Sequence, residues 1–150
     1  MTLPLPALAF VVDSSVVVKW YVEKEESDVA QAFRLLEHFG QGLCILRAPQ
    51  LLPFEVANAL VTSQRLPASS VHEALNHLRE LSMELQPLNW ATFTEAVEIA
   101  AACGTTIYDS YFLALALETG STLVTADEVF LRKTRRYPGI LPLRQLDLPG

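Results

Sequence analysis

Little in this chain suits a disulfide scaffold, a zinc site or a membrane protein. Its 150 residues include two cysteines and three histidines. Cys44 falls in a strand-like run and Cys103 at a helix end, neither with metal-ligand spacing, so buried, reduced thiols and a cytoplasmic setting are expected. The opening MTLPLPALAF carries two prolines and no Lys or Arg, unlike the start of a secretory leader. No apolar run approaches the roughly 18 residues of a membrane span. A glycine-rich phosphate loop and a nucleophile elbow are both missing, so P-loop and serine-hydrolase chemistry have nothing to rest on. His38, His72 and His77 lie on expected amphipathic helices, away from the acidic motifs, and are assigned no chemistry.

Positive charge is scarce too. There are 11 Lys and Arg against 17 Asp and Glu, for a formal net charge of −6. Phosphate affinity comes mainly from Lys and Arg, which argues against a general nucleic-acid coat protein but not against a nuclease whose carboxylates hold metal. The chain is rich in apolar residues, 51% hydrophobic against 19% charged, a globular composition with a large core. A single domain spanning residues 1–150 is expected, with part of its apolar surface left for a partner.

Leu8 to Val12 reads as a short buried strand ending at Asp13, and SSVVVKWYV after it is open between strand and helix. SDVAQAFRLLEHFG sets Val29, Ala32, Phe33, Leu36 and Phe39 on one helical face, with Ser27 as cap and Gly40 as stop. LCILRAP reads as a second strand, and QLLPFEVANALVTSQR as a helix with proline near its first turn. Ser70 and Glu73 suggest a capping box for VHEALNHLREL. Further helices are expected from Trp90 to Cys103 and over YDSYFLALALE, closed by Gly104 and Gly120. The strand TLVTA, a short helix around DEVFLRK and a strand near ILPL follow. Strands alternating with helices indicate an α/β domain with a mainly parallel sheet.

Most acids fall where solvent reaches them, as in EKEESD. Asp13, Glu55, Asp109 and Asp127 instead lie in apolar company, each expected at a junction on the strand C-terminal edge of a parallel sheet, where ligands commonly bind. Any one alone also reads as a first-turn helix acid complementing the dipole. As a set they repel one another unless a cation or protons offset the charge. Hard oxygen ligands with no His or Cys companion point to Mg²⁺ or Mn²⁺.

The succession VVDSS, PFEVANAL, YDSYFLALA, TLVTAD closely resembles the PIN-domain nucleases, and among them the VapC toxins of toxin–antitoxin pairs. The resemblance runs from about Ala9 to Leu143. Each motif alone is weak, whereas four in order with family-like spacing are specific. The resemblance implies a PIN-like α/β fold, a mainly parallel sheet of four to five strands flanked by helices. It implies a Mg²⁺-dependent endoribonuclease, with Mn²⁺ as substitute, that hydrolyses RNA with metal-activated water. Carried over by position, Asp13 and Asp109 become the direct metal ligands, Glu55 and Asp127 complete the pocket, and Thr125 and Ser15 orient water or a carboxylate. A homodimer and a small antitoxin clasped across an apolar groove are implied as well, and QAFRLLEHF and FEVANALV are the segments expected to line that groove.

Substrate contacts must come from local positive charge. Arg132, Lys133, Arg135 and Arg136 form the densest basic cluster, equally readable as a solvated helix end or an RNA contact, and Lys19 and Arg47 are weaker candidates. Tyr108 and Tyr111 flank the third acid and read as core or dimer packing before base stacking. Asn58, one turn after Glu55, reads either as a helix polar contact or as a site residue. The alternative readings are a solitary PIN-domain nuclease in RNA processing, a protein-binding module with structural acids, and a phosphoaspartyl protein. The last fits poorly, because Ser15 stands where a phosphatase of that kind needs a second Asp.

Overall fold

The computed structural model describes residues 8–22 and 27–148. Residues 1–7 and most of the acidic run EKEESD, residues 23–26, lie outside the described residues. Five strands, β1 (Leu8–Val12), β2 (Cys44–Pro49), β3 (Glu84–Gln86), β4 (Thr122–Thr125) and β5 (Ile140–Pro142), form one sheet in the order β3-β2-β1-β4-β5. Every neighbouring pair is parallel, with Phe10 opposite Leu46 and Thr122, and Thr125 opposite Pro142. Around it stand α1 (Ser14–Val17), α2 (Val29–Gly40), α3 (Leu52–Thr62), α4 (Ala68–Glu80), α5 (Trp90–Cys103), α6 (Ile107–Thr119) and α7 (Glu128–Lys133). This is the expected PIN-like α/β architecture. β3 had no strand signal, because its three residues are an edge pairing with Glu84 and Leu85 exposed, which leaves no alternating pattern to read.

The open segment after β1 is helical: one turn of α1 continues into a 3-10 turn over Val18–Trp20, burying Val16, Val17, Val18 and Trp20. Its β-branched run is therefore a core plug and not a strand, packing having overridden propensity. The face expected for α2 is rotated. Ala32, Leu35 and His38 are buried, whereas Phe33 is 44% exposed. Ser27 does not cap that helix; Asp28 precedes it at φ 59°, and the Ser27 carbonyl accepts a hydrogen bond from Lys19 Nζ at 2.7 Å. The Ser70–Glu73 box also fails as a cap, since α4 starts three residues earlier, with Pro67 at its N-cap position.

α5 and α6 match expectation. The Asn89 side chain accepts from the Ala91 and Thr92 amides, and Gly104 and Gly120 end the two helices at φ 69° and 64°, a left-handed conformation that glycine adopts without a Cβ clash. From Ser110 to Ala116 every residue of α6 is buried, so this helix has no solvent stripe and its position is set from all sides. Cys44 is buried and Cys103 half-buried, and both are free thiols. Among the described residues no single helix is long and apolar enough to cross a membrane.

Candidate functional site

The parallel sheet carries β1 and β4 side by side to one edge, and Asp13 and Asp127 leave the chain just beyond them. The Asp13 carboxylate accepts from Ser15 Oγ on Oδ1 and from Thr125 Oγ1 on Oδ2, both at 2.5 Å. Ser15 Oγ in turn accepts from the Ala126 amide at 2.9 Å, and Thr125 Oγ1 from the Asp127 amide at 3.2 Å. Residues about 110 apart in sequence are thus clasped across the β1–β4 seam, with Thr125 fully buried. Asp127 caps α7, its Oδ1 accepting from the Phe130 amide at 3.0 Å.

Asp109 arrives by another route. It lies in the first turn of α6, after the bend from α5, so the expected strand-to-helix junction is a helix-to-helix junction here. Thr106 is the N-cap, its Oγ1 accepting from the Asp109 amide at 3.0 Å, and this residue escaped the sequence reading although Thr two or three positions before an acid is an ordinary cap signal. Glu55 occupies the first turn of α3, and its Oε1 is buried with no hydrogen-bond partner among the described residues.

Three of the acids are raised from their ordinary values. Burial pushes Asp13 up to about 6, against the Ser15 and Thr125 hydroxyls that favour its charged form, and Asp109 raises it further. Burial also lifts Glu55 to about 7, with Asp109 and Asp13 adding to the shift. Asp109 is raised by burial and by the charge of Asp127, partly offset by the Thr106 hydroxyl. Among the described residues no three His, Cys, Asp or Glu side chains close into a finished metal cage. The edge is an open set of hard oxygen donors, mutually repelling and short of positive charge, and a divalent oxygen-seeking cation fits that chemistry.

A family model for the PIN domain matches residues 10–136. Ribonuclease VapC3 of Pyrobaculum aerophilum is 32% identical over 130 residues, covering 84% of this chain and 95% of its own. This chain belongs to the PIN-domain family. Two solved structures are similar in fold. A toxin–antitoxin complex from Klebsiella pneumoniae has a TM-score of 0.65 at 13% identity, covering 89% of this chain and 96% of that one. VapC20 of Mycobacterium tuberculosis, described as a sarcin–ricin loop cleaving toxin, has a TM-score of 0.66 at 13% identity, covering 83% and 95%.

Around the acids, this PIN domain sorts the remaining candidates. Arg47 pairs with Glu84 on β3 at 2.7 Å and donates to Ser121 Oγ at 2.9 Å, a strut across the sheet. Lys19 is 4% exposed and holds the Ser27 carbonyl, so it too is structural. Lys133 donates to the Gly104 carbonyl at 3.1 Å, tying α7 to the α5–α6 bend that presents Asp109. Arg132, Arg135 and Arg136 are exposed. Tyr111 is buried, its hydroxyl accepting from the Asn89 amide at 3.1 Å, while Tyr108 is 62% exposed. Asn58 is exposed, and its carbonyl accepts from Thr62 Oγ1. Of the histidines, His38 is buried and His77 Nδ1 lies 2.8 Å from the Tyr21 hydroxyl.

The raised acids set a pH dependence. Asp13, Glu55 and Asp109 bind protons more tightly in the folded protein than in the unfolded chain, so stability is greatest with the edge protonated and is lost as pH rises through the folded-state values of about 6 and about 7. In EDTA, the melting temperature is expected to fall between pH 5 and pH 8. Mn²⁺ should restore it at pH 8 and do little at pH 5. A melting temperature that rises over this range in EDTA, or a Mn²⁺ effect equal at both pH values, contradicts the assignment.

Proposed function

We propose that this PIN domain is a Mg²⁺-dependent endoribonuclease, the toxin of a VapBC-type toxin–antitoxin pair acting in the cytoplasm. The observation that carries the reading is Glu55 Oε1, a buried carboxylate oxygen without a partner among the described residues, in a set of acids whose charges oppose one another. An unmet buried acceptor costs about 1–3 kcal/mol, which a cation among the acids would offset. The 32% identity to Ribonuclease VapC3 supports the substrate class.

Asp13 and Asp109 would hold the cation directly, and Glu55 and Asp127 would complete its pocket. When bound, the divalent ion activates water and offsets charge developing on the phosphate. The chain's own part is to position the donors. Ser15 and Thr125 fix both oxygens of Asp13, while Asp127 is held by its α7 cap. Thr106 sets the first turn of α6, and the buried helix behind it keeps Asp109 from drifting. Water is the attacking group in place of a ribose 2′-hydroxyl, so the products carry 5′-phosphate and 3′-hydroxyl ends.

Two apolar surfaces suit partners. A groove of about 780 Å³ between α2 and α4 is lined by Trp20, Phe33, Leu36, Leu66, Ala74 and His77, and it is where we place the antitoxin. The expected QAFRLLEHF segment lines it, whereas FEVANALV does not; Phe54 of that helix lines a second cavity of about 600 Å³ with Leu88, Phe93 and Tyr108. Phe54, Leu88, Trp90 and Tyr108 are 57–76% exposed, more apolar surface than a lone monomer usually shows, and we assign this face to the homodimer. A solitary PIN nuclease would share the chemistry and lack the antitoxin.

Asp109→Asn is expected to fold, to melt no lower than wild type at pH 8 because one of the opposing charges is gone, and to cut RNA at least ~100-fold more slowly, a loss of about 3 kcal/mol of transition-state stabilisation. EDTA should abolish wild-type cleavage. Full cleavage in EDTA, or products ending in a 2′,3′-cyclic phosphate, contradicts the reading. Sedimentation of the purified chain with its co-encoded small protein checks the partners. The free chain should run as a dimer, and Phe33→Glu should lose the small protein while still cutting RNA. A free monomer, or unchanged capture by Phe33→Glu, counts against these surfaces.

A further inference from the structure

Five of the chain's 11 Lys and Arg fall between residues 132 and 144, on a protein whose net charge is −6. Three of them, Arg132, Arg135 and Arg144, line a pocket of about 250 Å³ between α7 and β5, floored by Tyr137 and Pro142. Arg144 is held by Glu128, at 2.9 Å from Nε and 3.3 Å from a terminal nitrogen. Arg132 and Arg135 make no ion pair or hydrogen bond among the described residues. Guanidinium groups gathered without enough counter-charge repel one another, and their forked donors match phosphate oxygens.

The position is as informative as the charge. Pro142 of β5 is in register with Thr125 of β4, two residues before Asp127, so the pocket borders the strand next to the one that leads to Asp127. Glu128, which lines the pocket, directly follows Asp127. The two surfaces that flank the acids along this edge differ in character. On the β3 side lies the apolar cavity of Phe54, Leu88 and Tyr108; on the β5 side lie arginines, the better match for a phosphate.

We propose that the Arg132–Arg135–Arg144 pocket binds a backbone phosphate of the RNA substrate and directs the strand off the acids toward β5. The inference rests on the ribonuclease reading. Arg144 stands outside the dense basic cluster in sequence and joins it only through the fold. Glu128 is then a built-in competitor, occupying Arg144 until a phosphate displaces it.

The test is binding of a fluorescent single-stranded RNA oligonucleotide against salt, in an Asp109→Asn background that prevents cutting. Removing the cation from one phosphate should flatten the slope of log affinity on log salt by about 0.7. Arg132→Gln with Arg135→Gln should therefore weaken binding roughly tenfold near physiological salt and flatten the slope. Glu128→Gln should tighten binding by releasing Arg144. In the wild-type background, Mn²⁺-induced thermal stabilisation should be unchanged in both variants, which shows the acids and the fold intact. Unaltered RNA affinity and slope in the double-arginine variant overturn the proposal. So does loss of polyglutamate binding with RNA binding intact, which would make the pocket an acidic-peptide site. If the wild type cuts RNA with Mg²⁺ but the slopes do not move, only the phosphate pocket falls; if it cuts no RNA, the ribonuclease reading falls.

Discussion

The clasp on Asp13 is the constraint on which the site depends. One carboxylate at the end of β1 takes hydroxyl donors from Ser15 and Thr125, and those same hydroxyls accept the Ala126 and Asp127 amides. The turn after β4 is therefore built around the charge that ends β1. Backbone donors there, which would otherwise be unmet in a half-buried turn, are satisfied through Asp13's own ligands. Fold and site meet in a single hydrogen-bonded unit, so an apolar residue at position 13 would leave the Ser15 and Thr125 hydroxyls without their shared acceptor.

Everything else at the edge works against that unit electrostatically. Asp109 raises both Asp13 and Glu55, and Asp127 raises Asp109. The protein holds these groups in place with rigid supports: a helix buried on every side behind Asp109, a cap at Thr106, and a lysine tie from α7 to the α5–α6 bend. Such an arrangement costs stability at neutral pH and keeps the oxygen donors on one edge. The basic residues on the β5 side put the opposite charge beside this edge, although the chain as a whole is acidic.

Much of this was legible in the sequence, and the failures have physical causes. The four acids stood out because each interrupted an apolar run, and the strands before Asp13 and Asp127 announced themselves by composition. Helix termini were read well where the cap was a left-handed glycine, at Gly104 and Gly120, and badly where a Ser was available but unused, at Ser27 and Ser70. A capping residue is only a local option, and packing decides whether the chain takes it. β3 and the role of Arg144 were invisible because both are products of tertiary neighbours: a strand defined by pairing with β2, and a cation brought beside Arg132 and Arg135 by β5. The partners of Arg47 and Lys19 were hidden for the same reason, Glu84 and the Ser27 carbonyl being tertiary neighbours.

The central claim is that the acids exist to hold a divalent cation at the strand C-terminal edge. Anomalous diffraction from crystals soaked in Mn²⁺ at pH 8 tests it most directly. The account predicts a manganese peak roughly 2.2 Å from carboxylate oxygens of Asp13 and Asp109, with Glu55 turned toward it. Manganese ordered elsewhere on the protein with none at these carboxylates would contradict it.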